Sequence, residues 1–258
     1  MSENNPYEPP KSDVTPLTGS NENLALLPEP RSLSAGAGIS WLSESWPMVK
    51  SNLGTWVLIT LALFAIQFVL GIVPVAGDII SSLIGPVFTG GILMGVKAIA
   101  GGDALRFDYL FEGFKQKFGS LVGLGALTLG IMFLFGIIIG GAFVGMNMDT
   151  MQPDMNPAEL LSGANTGLIA VGMILLLLVL MLFWFATQLV ALNDVPVFQA
   201  LSMSFKACLR NPLSLLVYSL AALALLILGA IPLLLGLLVV VPWFFSSMYV
   251  SYKQIFLQ

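Results

Sequence analysis

After a polar opening, the chain settles into long apolar runs separated by shorter stretches in which apolar residues recur every three or four positions. The runs are Gly54–Val73, Ile79–Ile99, Leu121–Gly145, Leu168–Leu192, Leu213–Ile231 and Leu233–Tyr252. Each is close to the ~20 residues that carry a helix across a bilayer, so six spans are expected. Three stretches between the runs carry the other period. In 39–53, Ile39, Leu42, Trp46, Val49 and Leu53 share one helical face opposite Ser43, Glu44 and Lys50. In 103–118 the same face is drawn by Phe107, Leu110, Phe111, Phe114 and Phe118, and in 194–210 by Phe198, Leu201, Phe205 and Cys208. Amphipathic helices of this kind, beside a membrane entry and rich in aromatics, lie in the interface.

These stretches are related. DALRFDYLFEGFK, 103–115, overlays DVPVFQALSMSFK, 194–206, at the leading acid, at Phe107 and Phe198, at Leu110 and Leu201, and at the closing Phe-Lys pair. SWPMVKSNLGTW from Ser45 overlays SFKACLRNPLSL from Ser204, matching Asn52 with Asn211, and Pro86 and Lys97 are spaced as Pro242 and Lys253. Repetition of this kind means one supersecondary unit used more than once. The expected fold is an all-α integral membrane domain, 39–258, with six transmembrane helices. They form three units of interfacial helix plus transmembrane hairpin, at about 39–100, 103–192 and 194–255. Residues 1–38, rich in Pro, Asn, Ser and Glu, are expected as a disordered cytoplasmic tail, because they hold too little apolar surface to offset ordering.

Composition agrees with a bilayer: 57% of the residues are hydrophobic and 9% charged, against roughly 25% charged in soluble domains. The net charge of −4 and the lack of a basic block exclude nucleic acid as a partner class. There is no histidine and a single cysteine, Cys208, which removes the usual zinc sites and any internal disulfide. Under six spans all ten Lys and Arg fall on one side, so the positive-inside rule puts both termini in the cytoplasm of a bacterial inner membrane.

Candidate chemistry is sparse. No ionisable side chain stands clearly in mid-span, where a pump or intramembrane enzyme would need one. Gln67 reads as an interhelical hydrogen bond and Gln188 as a residue near the headgroups. Lys97, Lys115, Lys117, Lys206, Arg210 and Lys253 are candidate contacts for lipid headgroups. Gly91 with Gly95, and Gly136 with Gly140, have the spacing that lets helices approach closely. Asp103 and Asp194 stand where a carboxylate would cap the helix that follows. Asp149, Asp154 and Glu159 do not make a calcium loop, and Cys208 reads as a buried, inert thiol. No cofactor and no catalytic or metal site is expected.

The run GPVFTGGILMGVKAIAGGDALRFDYLFEGFK from Gly85, with WLSESWPMVKSNLGTW and VPVAGD before it, resembles a family of uncharacterised bacterial inner-membrane proteins with six predicted helices. That family is in turn similar to the membrane domain fused to some glycerophosphodiester phosphodiesterases. The phosphodiesterase barrel and its metal ligands are absent from this sequence, so the resemblance implies a membrane fold without that activity. The leading expectation is a non-enzymatic protein that binds or organises membrane lipids, a membrane-protein partner or further copies of itself. The alternative is a transporter or permease subunit for a lipidic or small amphipathic substrate.

Overall fold

The computed structural model describes residues 25–148 and 163–258, and the regular structure among them is helical, with one isolated β-bridge between Leu26 and Leu257. Helix α1 spans Ala37–Lys50, α2 Leu53–Gly71 and α3 Ala76–Ala100. A 3-10 turn, Phe107–Phe111, leads into the short α4, Glu112–Gln116, and the long α5, Phe118–Asn147. Then come α6, Gly163–Phe183, α7, Ala186–Asn193, α8, Val197–Arg210, α9, Pro212–Ala230, and α10, Leu237–Phe256.

Five helical segments are long and apolar enough to cross a membrane: α2, α3, α5, α6 continued through α7, and α9. The expected sixth, α10, has the length, but its last turns carry Ser246, Ser247, Ser251, Lys253 and Gln254. Most of those positions are buried in the bundle. The core therefore sits with α3, α7, α10 and the amphipathic elements rather than along α2, α5, α6 and α9. Of the most apolar stretch of α5 only 11% is buried, against 44% for α3. The largest fully buried side chains include Trp41, Trp56, Phe185, Tyr252 and Phe256.

Packing follows a cyclic order. Helix α1 lies on α10, the 3-10 turn and α4 lie on α3, and α8 lies on α6 and α7. Each amphipathic element thus rests on the return helix that precedes it in the chain, and the first rests on the last. The starts of three outgoing helices share one backbone geometry, with φ and ψ of −130° and 26° at Asn52, −132° and 24° at Lys117, and −128° and 40° at Asn211. Each of these residues also tethers a distant lead-in segment. Asn52 Oδ1 accepts from the Leu105 amide at 3.1 Å, Asn211 Oδ1 accepts from the Leu33 amide at 2.8 Å, and the Lys117 ammonium pairs with Asp194.

Two expectations need correction here. Part of the stretch assigned to a disordered tail is tied down: the Leu27 and Arg31 amides donate to Phe256 and Ile255, and Asn211 Nδ2 donates to the Arg31 carbonyl. The reason is the backbone at the end of α10 and the α8–α9 corner, which offer hydrogen-bond partners that composition alone does not reveal. Residues 1–24 lie outside the described residues, as do Asp149, Asp154 and Glu159. Second, 103–118 is not one continuous amphipathic helix but an extended lead-in, a 3-10 turn and a short helix.

Candidate functional site

The sequence places six basic candidates along the chain, and the fold sorts them into three groups. Lys115 turns away, bonded at 3.2 Å to Glu112 one helical turn before it. Hydrogen bonds from Gln116 and then Lys115 hold the Glu112 carboxyl below its ordinary range. Lys206 and Arg210 lie one turn apart on the exposed side of α8. Arg210 is engaged there, donating to the Pro30 carbonyl at 2.8 Å and pairing with Glu29.

Lys97, Lys117 and Lys253 come together. They line a cavity of about 510 Å³ where α3, α7 and α10 end, with the 3-10 turn and the α4–α5 junction on its other side. Lys97 and Lys253 sit in the last turns of α3 and α10, where cations meet the negative end of the helix dipole. Lys117 is shared with Asp194. Asp103, Tyr109, Gln116 and Tyr249 supply the remaining polar wall, so three ammonium groups face two carboxylates. Among the described residues, Lys97 and Lys253 have no ion-pair partner.

Neither aspartate caps the helix it precedes. Position before α8 belongs to Pro196, held extended at φ −55° and ψ 142°, and before the 3-10 turn it belongs to Arg106, also extended. Asp194 instead ends α7 in the left-handed region at φ 57°, which swings its carboxylate to Lys117. Asp103 lies at the exposed rim of the cavity.

The glycine expectations divide. A Cβ at Gly91 would come within 2.5 Å of the Tyr109 carbonyl, and one at Gly95 within 2.8 Å of Leu105. These two glycines therefore let the 3-10 turn close the cavity wall against α3. Gly136 and Gly140 have open space around them. Helix α5 meets α3 through Gly125, against the Ser82 and Leu83 carbonyls, and its far half is largely exposed.

A second, apolar crevice of about 410 Å³ lies between α6 and α9 beneath α8, lined by residues such as Leu180, Trp184 and Leu216. Cys208 also borders it, and burial pushes its thiol up to about 12, which leaves it unreactive at neutral pH. Gln67 accepts a hydrogen bond from Ser81 Oγ at 3.1 Å, joining α2 to α3. Among the described residues no three His, Cys, Asp or Glu side chains gather in a way that could hold a metal ion.

The chain is similar to the "Probable inner membrane protein" of Burkholderia thailandensis. The two are 25% identical over 197 residues, covering 73% of each chain. No family model matches the sequence, and no solved structure matches it. The expected likeness to the phosphodiesterase membrane domain finds no support in these matches. The relative's name and five helices able to cross a membrane support a multi-pass inner-membrane location.

Sequence reasoning did not find the residues that make the basic group a site. Tyr109 and Tyr249 line the cavity and carry no motif, and Gln188 is buried in the bundle outside that lining. The only signal was register, since Tyr249 stands one turn before Lys253 on the same helix face.

Proposed function

We propose that this chain is a non-enzymatic inner-membrane protein that binds phosphate-bearing lipid headgroups in the lysine-lined cavity and so organises lipid, or a membrane-protein partner, around itself. One observation carries the reading: Lys97, Lys117 and Lys253 come from three separate segments to one cavity, and two of them have no ion-pair partner among the described residues. An ammonium without an ion pair is free to take a phosphate oxygen, and a cluster near the membrane surface attracts anionic headgroups by about 1 kcal/mol per residue.

In the topology that accompanies this reading, α10 is the sixth span and each unit is an amphipathic element plus a hairpin. Support comes from the cyclic packing and from the three tethers, which link each unit to the next. Both termini then lie in the cytoplasm with the lysine cavity. A reporter fused after Gln258 should be active in the cytoplasm only, and periplasmic activity would refute this topology.

Lipid retention tests the binding. Native mass spectrometry of detergent-purified protein should show anionic phospholipid bound to the wild type and lost from a Lys97→Ala, Lys253→Ala double variant. Equal retention by both would end the headgroup reading. The apolar crevice between α6 and α9 favours the transport alternative, which predicts flux of labelled lipid through proteoliposomes.

A further inference from the structure

The lysine cavity gives a common level from which to measure three helices, since Lys97 of α3, Lys117 at the start of α5 and Lys253 of α10 all line it. At ~1.5 Å of rise per residue, α3 reaches about 31 Å from Lys97 back to its first residue, Ala76, and α5 about 45 Å from Lys117 to Asn147. From Lys253 back to its own first residue, Leu237, α10 reaches only about 24 Å. Against a hydrocarbon core of about 30 Å, α3 crosses, α5 emerges and α10 stops short, and tilting α10 would only shorten its reach.

The turn that joins α9 to α10 suits that depth. No charged residue falls between Arg210 and Lys253, whereas α3 carries Asp78 in its first turn. Ile231, Leu233, Leu234 and Leu235 are exposed, Leu233 at 88%. Leu233 and Leu234 have φ of 52° and 67°, the left-handed region that turns in water give to Gly, Asn or Asp. Glycine is present but serves otherwise. A Cβ at Gly236 would come within 2.6 Å of the Gly229 carbonyl, so Gly236 closes the hairpin and the left-handed positions fall to leucine. In water those leucines would carry the backbone strain with no apolar transfer to offset it, and in hydrocarbon they have that transfer. The backbone is also closed on itself. The Leu233, Leu234 and Leu235 amides donate to the Ile231, Ala230 and Pro232 carbonyls, and the Leu234 and Leu235 carbonyls accept from Leu237 and Leu238. A turn in water has no need of such internal pairing, whereas backbone in lipid does.

We infer that the 231–236 turn is a lipid-contacting surface: it ends in the hydrocarbon of the leaflet far from the lysine cavity, beneath the headgroups, with acyl chains packed against Ile231, Leu233, Leu234 and Leu235. This rests on the topology proposed above and deepens it. Helices α9 and α10 enter the far leaflet and return, but their turn stays under its headgroups while the end of α5 passes beyond them.

The test uses the full chain in spheroplasts with a membrane-impermeant maleimide, and the wild type with its buried Cys208 is the blank. Met148→Cys, at the exposed end of α5, should label from the periplasmic face, and Leu234→Cys should label only after the membrane is dissolved. Labelling of Leu234→Cys in intact spheroplasts would overturn the inference and leave the topology standing. Met148→Cys that stays unlabelled would overturn the topology and the inference with it. A nitroxide at Leu234→Cys, in the purified chain in phospholipid nanodiscs, identifies what covers the turn. Oxygen should relax it more strongly than a water-soluble nickel chelate. The reverse order would mean water, and shielding from both would mean a second copy of the chain, so either result refutes the acyl-chain partner. Leu233→Asn with Leu234→Gly suits the left-handed backbone, yet it should lower the melting temperature in nanodiscs. An unchanged or raised value would place the turn in water.

Discussion

The stretches 103–115 and 194–206 begin as near copies and end as different structures. The second, after a lead-in of three residues, forms a continuous amphipathic helix, α8, from Val197 to Arg210, with Ala200, Leu201, Ser204 and Cys208 buried. The first breaks into an extended lead-in, a 3-10 turn and five residues of helix. The divergence centres on one aligned pair, Gly113 and Ser204. Both meet the backbone of the return helix just before them in the chain, but by opposite means. Gly113 brings its backbone against the Val87 carbonyl, one residue after the proline in α3. Ser204 stands off by a side chain: its Oγ donates to the Met181 carbonyl at 2.8 Å and accepts from the Phe185 amide at 2.9 Å. Those two groups flank the break between α6 and α7, so the hydroxyl occupies the gap that the broken helix leaves. Aligned positions thus seat their segments on the preceding helix differently, by close approach to an unbroken α3 in one case and by hydrogen bonding across the α6–α7 break in the other.

The harshest way to break the comparison is to exchange the residues. Gly113→Ser places a Cβ onto the Val87 carbonyl, and backbone cannot yield as a flexible side chain can. A loss of about 3 kcal/mol is expected, the upper end of the usual overpacking range, read as a lowered melting temperature in detergent. Wild-type stability in this variant would mean that the 3-10 turn does not seat on α3. Ser204→Ala keeps the Cβ and removes only the hydroxyl. It leaves the buried Phe185 amide unpaired, at about 1–3 kcal/mol, and hydrogen exchange at Phe185 should accelerate with it.

How much of this could be read beforehand follows from the kind of interaction involved. Apolar runs and the helical period gave α8 and the five helices able to cross a membrane, because a hydrophobic face is written in residue types. The repeat gave the Asn52 and Asn211 correspondence, and both asparagines tether a lead-in amide in the fold. The short first copy was not legible, since nothing in the residue pattern distinguishes an interfacial helix from a segment drawn flat onto a neighbouring glycine. Nor was the strap at 25–34, whose partners are mostly backbone groups and the side chains of Asn211 and Ser214 about 180 residues away. Of the basic candidates, spacing linked Lys97 with Lys253, but Lys117 joined them only through tertiary packing.

A smaller effect sharpens the contrast at the leading acids. Asp194 pairs with Lys117, while Asp103 has no ion pair among the described residues. The pair is partly exposed, 25% at Lys117 and 72% at Asp194, so Asp194→Asn should cost under about 1 kcal/mol. Asp103→Asn should cost less still. If the two variants are equally destabilising, the acids serve a common local role and the tether between 117 and 194 contributes nothing.

The mildest effect concerns α8, which among the described residues is the copy that the strap ties down. Arg210, at its end, holds Glu29 of the strap, and the hydrogen bond and charge of that guanidinium keep the Glu29 carboxyl below its ordinary value. A carboxyl lowered in the folded state adds stability that is complete above the ordinary glutamate value and is lost as pH falls through the lowered one. Strap closure should therefore be constant from neutral pH down to that ordinary value and loosen only in more acidic solution. Because the carboxylate is exposed, the change should appear as local hydrogen exchange at 27–33 rather than as a shift in global melting. Relative to the intrinsic exchange rate at each pH, Glu29→Gln should be as weakly protected there at neutral pH as the wild type is in acid, and that protection should not change with pH. The stretch 103–115 serves as the internal reference. Its Glu112 is also lowered, but by Gln116 and Lys115 on the same short helix, so its titration can loosen α4 without touching the strap. Acid that opens both stretches together in Glu29→Gln would trace the effect to the whole bundle and away from the Arg210 tie.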